Sequence, residues 1–264
     1  MKQSRLLRIA LGLAFALGSA VPTRAQDLLQ YIDLNSDEFT KSDMTRAEIE
    51  AAIAAAGAGV VDLFGKRLNG LELSGLDLRK VVLKAAYING TNFTGAHLDG
   101  VVLDRAWALK SNFTNATFKG ASLLETQMMD AKFDGADFSG ARLAPNMSRA
   151  SFVKARFDGA DLSRHGRLQA HRAVFTAAKL DGASFRGANL ERSVLEFASL
   201  RDVDFAGADL SGCSLAGADL TGANVAGANF NDADVNSAKL LSLRGREGAV
   251  DFEKARNLEQ ALRD

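Results

Sequence analysis

A five-residue repeat between Phe205 and Phe230 constrains the fold more than any other feature of the sequence. The stretch reads FAGADLSGCSLAGADLTGANVAGANF. A large apolar residue, which we call the centre of a repeat, recurs every five positions. A small residue stands two positions before each centre, and glycine stands two positions after most of them. The centres in this stretch are Phe205, Leu210, Leu215, Leu220, Val225 and Phe230.

A period of five fits neither an α-helix nor a straight strand. Five residues advance a helix by about 500°, which scatters the centres over every face. In a straight strand, successive centres would point to opposite sides. The chain must therefore turn a corner in each repeat, and glycine supplies the backbone freedom that a corner needs. A fixed period of this kind predicts a solenoid whose coils are stabilised by stacking on one another.

The segments AGADLSG and TGANVAGANF resemble the pentapeptide-repeat family, whose motif is A(D/N)LXX. The resemblance implies an all-β solenoid, namely a right-handed parallel β-helix with four sides and about twenty residues per coil. It also implies a structural role for the Asp and Asn residues before the centres, such as Asn189, Asp209 and Asn229. A cation-binding ladder of these side chains is the alternative interpretation.

Residues twenty apart sort by type, which independently supports a coil of that length. One column contains Leu63, Leu83, Leu103, Leu123 and Leu143, and another contains Leu73, Phe93, Phe113 and Phe133. The count loses one residue between Leu143 and Met147 and breaks again after Leu162. We therefore predict a pentapeptide-repeat β-helix over 60–243, interrupted at 144–149 and 163–174.

Caps are expected at both ends, because an open solenoid exposes unpaired strand edges. Residues 26–59 predict an N-terminal helical cap, in which Thr45 and Glu48 form a capping box ahead of an alanine-rich helix. Residues 244–264 predict a C-terminal cap with a short helix that begins near Asp251. Phe252 as a last repeat centre is the alternative. An end cap would also offer a contact for a homodimer.

The first 25 residues predict a secretory signal peptide. A basic start, MKQSRLLR, precedes the apolar run IALGLAFALGSAV, whose thirteen residues are too few to span a bilayer. We predict cleavage between Ala25 and Gln26, with an uncleaved anchor or a buried helix as the alternative. The expected location is outside the cytoplasm of a bacterium, in the periplasm or beyond it, with no membrane span in the mature form.

The second interruption contains five cationic or titratable side chains within SRHGRLQAHR. They are Arg164, His165, Arg167, His171 and Arg172. A projecting basic loop that binds an anionic partner and a mis-spaced coil are the two interpretations. Trp107 stands beside the weak centre Ala108, so we expect it to point outward. There it would contact a partner or pack against a cap or loop.

The sequence offers few groups for chemistry. Two histidines without a carboxylate or thiol in the same loop make a poor metal site, and no serine or cysteine stands beside them as a nucleophile. His97 is expected on the surface, and the single cysteine, Cys213, is expected to be an inert core thiol. We therefore predict no enzyme activity, no cofactor and no bound metal.

These observations favour a non-catalytic exported scaffold that binds an unknown protein or anionic partner. Binding would use the outer faces or the basic loop at 163–172. The alternative is a DNA-mimicking gyrase inhibitor, as in acidic members of the family. Without its signal peptide the chain carries 28 basic and 32 acidic side chains. This near balance and the signal peptide, which would keep the protein away from a cytoplasmic topoisomerase, disfavour the alternative, and a nucleic-acid partner is not expected.

Overall fold

The computed structural model describes residues 32–163 and 172–264, and residues from Leu34 onward form one compact unit. The predicted signal peptide and its cleavage point lie outside the described residues. Parallel β-bridges link residues twenty apart on four sides of each coil, which confirms the expected four-sided β-helix. We number the faces by the outward residues of one coil: face 1 contains Val102, face 2 Trp107, face 3 Asn112 and face 4 Thr117.

Regular elements are short because each side of a coil is only a few residues long. Among the described residues, two helices precede the solenoid, α1 (Asp37–Thr40) and α2 (Arg46–Ala56). The strands are β1 (Val61–Asp62), β2 (Val81–Val82), β3 (Ser122–Gln127), β4 (Arg142–Asn146), β5 (Lys239–Leu240) and β6 (Leu262–Arg263). They pair in parallel as β1–β2, β3–β4 and β5–β6. In the part of the chain that the structure describes, no helix is long and apolar enough to cross a membrane.

The core consists of the centres and the small residues before them, stacked along the solenoid. Phe93, Phe113, Phe133 and Phe152 are completely buried and form one ladder. Their successive ring centroids lie 4.8, 4.9 and 4.7 Å apart, with the rings within 3° of parallel. That spacing equals the distance between hydrogen-bonded strands, so each ring rests directly on the ring of the next coil.

The Asp and Asn residues before the centres close the corners, in line with the structural role implied by the resemblance. Asn189, Asp209 and Asn229 each accept a hydrogen bond from the backbone N–H two residues later, at 3.0, 2.9 and 3.0 Å. Each side chain thus satisfies a corner donor that the coil itself leaves unpaired.

A second kind of corner contact joins neighbouring coils. The carboxylate of Asp134 accepts hydrogen bonds from the hydroxyl of Ser151 and from the N–H of Val153, both in the next coil. Asp181 does the same for Ser199 and Arg201. The residue before the centre is serine in both receiving repeats, so the previous coil supplies the acid that the repeat lacks.

The repeat that is one residue short, between Leu143 and Met147, is accommodated by a β-bulge. Leu124 of β3 pairs with Ala144 of β4, but the next pair joins Gln127 to Asn146, so β4 has one residue fewer between them. The pairs on the following faces are nineteen residues apart, and the columns continue.

The N-terminal cap confirms the predicted helix and its capping box. The Thr45 side chain accepts a hydrogen bond from the N–H of Glu48, and the Glu48 carboxylate accepts one from the N–H of Thr45. Ile49 of α2 is fully buried on the end of the core. Arg46 donates to the carbonyls of Glu72 and Ser74, at 3.0 and 3.2 Å, and so satisfies part of the open edge of face 3.

The C-terminal segment differs from the single helix expected near Asp251. It contains three separate 3-10 helices, Arg246–Gly248, Phe252–Lys254 and Leu258–Gln260. These belong to one more coil, whose pairs are 20, 21, 22 and 23 residues apart on successive faces. Each corner of this coil therefore has an extra residue. Phe252 lies over the end of the core, 5.1 Å from the ring of Phe230, as a last repeat centre would.

The Phe133→Asp variant should unfold or aggregate, whereas Lys132→Asp should be tolerated. Phe133 is sandwiched between two rings, while Lys132, the preceding residue on face 3, is exposed. Removing a core phenylalanine side chain costs about 3–5 kcal/mol, and an unpaired buried carboxyl adds to that cost. Thermal melts of both variants test this, and equal melting temperatures would show that the inward and outward positions are wrongly assigned.

Acid should weaken the solenoid partly through Asp219. Burial raises the pKa of Asp219, but hydrogen bonds from Thr221 and the ion pair with Arg201 outweigh it, and the pKa is about 2. Since the folded pKa lies below the ordinary 3.8, this carboxylate stabilises the fold above pH 4 and loses that effect as pH falls through 2.

The stability gap between wild type and Asp219→Asn should therefore shrink over that pH range in urea melts. Asp232→Asn is the control, because the Asp232 side chain is 66% exposed and should show a small gap at every pH. A gap for Asp219 that does not change with pH would contradict the assignment.

Candidate functional site

The second interruption is an insertion at the corner between faces 1 and 2. Across it, Asn146 pairs with Val174 and Asp161 with Asn189, each 28 residues apart instead of twenty. The coils on either side remain hydrogen-bonded, as the 2.7 Å bond from the N–H of Phe152 to the carbonyl of Lys179 illustrates. The solenoid is therefore continuous around the insertion.

Both flanks of the insertion are fixed at this corner. At the start, the hydroxyl and N–H of Ser163 donate to the Asp161 carboxylate at 2.6 and 3.1 Å. At the end, Ala173 is fully buried and Arg172 is exposed. Arg172 makes no ion pair with any described residue. The other predicted binding residues, Arg164, His165, Arg167 and His171, lie outside the described residues.

Arg142 is a second exposed cation near this corner, and sequence reasoning missed it. It lies on face 1, where it bridges Ser122 in one neighbouring coil and Asp161 in the other. It too has no ion pair within residues 32–163 and 172–264. The available signal was its place immediately before the centre Leu143, where the repeat motif has Asp or Asn.

Most other arginines of the described faces are paired with carboxylates. Arg149 donates to both oxygens of Asp130, at 2.8 and 2.7 Å, and this hydrogen bonding raises the pKa of Arg149. Arg186 lies 2.7 Å from Asp204 in the neighbouring coil. Arg142 and Arg172 are among the few described arginines without an ion pair, so their guanidinium groups are available to an external anion.

Trp107 packs against the N-terminal segment instead of facing solvent freely. Its ring meets the ring of Phe39 edge-on at 5.1 Å, and Phe39 meets Tyr87 in the same way at 5.4 Å. The Tyr87 hydroxyl donates to Glu38 at 2.5 Å, and burial raises the pKa of Tyr87. Of the two interpretations of Trp107, this contact supports packing against a cap. Sequence alone could not connect it to a phenylalanine in α1.

His97 and Cys213 lie in separate parts of the solenoid, one on its surface and one in its core. His97 is exposed on face 4, between Asp77 and Thr117 of the neighbouring coils. Cys213 is buried, its thiol donates to the carbonyl of Leu190 at 2.9 Å, and burial raises its pKa. Within the described ranges, no group of three His, Cys, Asp or Glu side chains could hold a metal ion.

Comparison with solved structures identifies a similar fold. HetL, a pentapeptide repeat protein involved in heterocyst differentiation regulation in the cyanobacterium Nostoc sp. strain PCC 7120, is 23% identical. The match covers 83% of this chain and 94% of HetL, with a TM-score of 0.56. A trypsin-treated form of QnrB1, a plasmid-mediated fluoroquinolone resistance protein, is 19% identical over 79% of this chain and 92% of its own, with a TM-score of 0.43.

Comparison by sequence identifies the family. No curated protein matches the sequence significantly. The profile for pentapeptide repeats matches eight copies, at residues 67–107, 111–144, 171–205 and 198–236, which together span more than half of the chain. With the right-handed four-sided β-helix that it shares with HetL, the chain belongs to the pentapeptide-repeat family.

Proposed function

We propose that this chain is a non-catalytic, exported scaffold that binds an acidic protein or another anionic partner through the basic insertion at 163–172. The observation that carries the proposal is the continuity of the solenoid around that insertion. Extra residues at a corner cost loop-closure entropy. A loop held at both ends by a rigid scaffold is a common place for recognition residues.

The charges around the corner favour an anionic partner. Arg172 at the end of the insertion and Arg142 on the adjoining face are exposed and unpaired among the described residues. Guanidinium groups bind carboxylates and phosphates through two parallel hydrogen bonds, which gives them both strength and orientation. The insertion itself adds Arg164, Arg167 and two histidines in sequence.

Replacing Arg164, Arg167 and Arg172 together by glutamine should reduce capture of partners from an extracytoplasmic extract about tenfold or more, because three charge-assisted contacts are lost. The melting temperature should stay the same, since Arg172, the one of these three arginines that the structure describes, is exposed. Capture by the wild type should weaken with added salt and strengthen below about pH 6.5 as the histidines gain charge.

The matched control replaces three paired arginines on other parts of the solenoid, Arg186, Arg201 and Arg256, and removes the same number of charges. This control should keep its partners. If both triple variants lose capture equally, general charge explains the binding. If neither loses it, the insertion does not bind.

Export rests on the predicted signal peptide, and N-terminal sequencing of the protein from the organism's extracytoplasmic fraction tests it. The expected first residue is Gln26, because the apolar run is too short to remain as a membrane anchor. Recovery of full-length chain from the membrane fraction would contradict export as a free protein.

A further inference from the structure

Phe197 is an exposed aromatic residue in the middle of the solenoid. Its relative exposure is 67%, the largest of any large apolar residue that the structure describes. The other exposed large apolar residues belong to the end segments of the described chain, namely Leu34, Val60, Phe64, Val250 and Leu262. Open ends account for those residues, whereas no end effect accounts for Phe197.

The ring of Phe197 is seated on the backbone of the next coil. Phe197 occupies the corner between faces 2 and 3 with φ of 57°, a conformation that bulky residues rarely adopt. Gly217 stands at the same corner of the following coil, and a Cβ added there would lie 2.6 Å from Cδ1 of the ring. The absence of a side chain at Gly217 therefore makes the space for the ring and fixes its position.

Unpaired cations lie on both sides of this ring. Lys179 lies on face 3 in the preceding coil, where it bridges Ser199, two residues beyond Phe197. Arg172 lies at the opposite edge of face 2, two residues before Val174. Both are exposed, and neither has an ion pair within the described chain. The face between the two cations thus combines an aromatic anchor with an apolar valine.

The carboxylates nearest to Phe197 in the coil register are already engaged. Glu196 accepts a hydrogen bond from the hydroxyl of Ser214 at 2.8 Å. Asp181 accepts one from the hydroxyl of Ser199 and another, at 3.1 Å, from the N–H of Arg201. Each carboxylate therefore uses one oxygen within the solenoid, whereas Lys179 and Arg172 are exposed and have no ion pair within the described chain.

We propose that Phe197, Val174, Lys179 and Arg172 form a docking surface for an acidic peptide segment that carries one large apolar side chain. The apolar side chain lies against Phe197 and Val174, and flanking carboxylates pair with Lys179 and Arg172. A pre-positioned aromatic ring bordered by charge is typical of residues that dominate binding energy. The inference rests on the proposed binding function and names the chemistry of its partner.

A random peptide library displayed on phage, selected against the chain lacking its first 25 residues, is the probe. Selected peptides should contain Asp or Glu around a large apolar residue. Their affinity, measured by fluorescence anisotropy of synthetic copies, should fall about tenfold or more for Phe197→Ala. Lys179→Gln should weaken binding less and should reduce its salt dependence.

Two glycine variants separate the ring's position from general damage. Gly217→Ala places a methyl group where the ring lies, so it should lower affinity as Phe197→Ala does. Gly207→Ala is the matched control, because Gly207 has the same φ of 67° with nothing within 4 Å of an added Cβ. Alanine already adopts a positive φ at Ala177, so both glycine variants should fold. Equal melting temperatures of Gly217→Ala and Gly207→Ala would verify that they are equally stable.

The assignment of this docking surface is wrong if the selected peptides lack acidic residues. It is also wrong if they bind the Phe197→Ala and Gly217→Ala variants as tightly as they bind the wild type. It is also wrong if Phe197→Ala abolishes only self-association, measured by analytical ultracentrifugation. The proposed function is judged separately by extract capture. Capture that is lost with the three arginine changes but kept by Phe197→Ala overturns this inference alone.

Discussion

Backbone hydrogen bonds between neighbouring coils set the position of every other part of this solenoid. The N–H of each centre donates to the coil that follows, as Phe133 does to the carbonyl of Ser151 at 2.7 Å. These bonds run along all four faces, so a change in coil length must be absorbed without disturbing the flat sides. The bulge at β4, the insertion after Ser163 and the widened C-terminal coil all place their irregularity at corners. Corners are therefore where this fold can acquire new surface.

The same constraint decides which polar groups remain available for binding. Many Asp and Asn side chains are used to close their own corner or to join the next coil, as Asp209 and Asp134 are. Other acids pair with arginines of the neighbouring coil, as Asp204 pairs with Arg186. Because these acids are used within the solenoid, some cations stay exposed and without an ion pair among the described residues, although the overall charge is near neutral. Examples are Arg142, Arg172 and Lys179.

The repeat could be predicted from the sequence because local pattern and tertiary position coincide in it. A centre such as Phe133, its small partner and the corner residue are each identified by spacing alone, and the Thr45–Glu48 capping box is equally local. The sequence could not decide between a C-terminal helix and a further coil, because six-residue sides place Phe252, Ala255 and Leu258 at spacings that a short helix also produces. The contacts of Trp107 with Phe39, and of Phe197 with Gly217, join distant segments at positions where the repeat leaves the residue type open.

The solenoid continues as one hydrogen-bonded stack around the basic insertion, and native-state hydrogen exchange can measure whether it does. The amides of Met147, Phe152 and Phe157 donate across the insertion to the next coil, at 2.8, 2.7 and 2.7 Å. We predict that they are protected as strongly as those of Phe205 and Leu210 in the regular region, because both sets open only with the stack. Fast exchange at these three amides, with protection retained at Phe205 and Leu210, would show that the stack breaks at the insertion and would contradict the account.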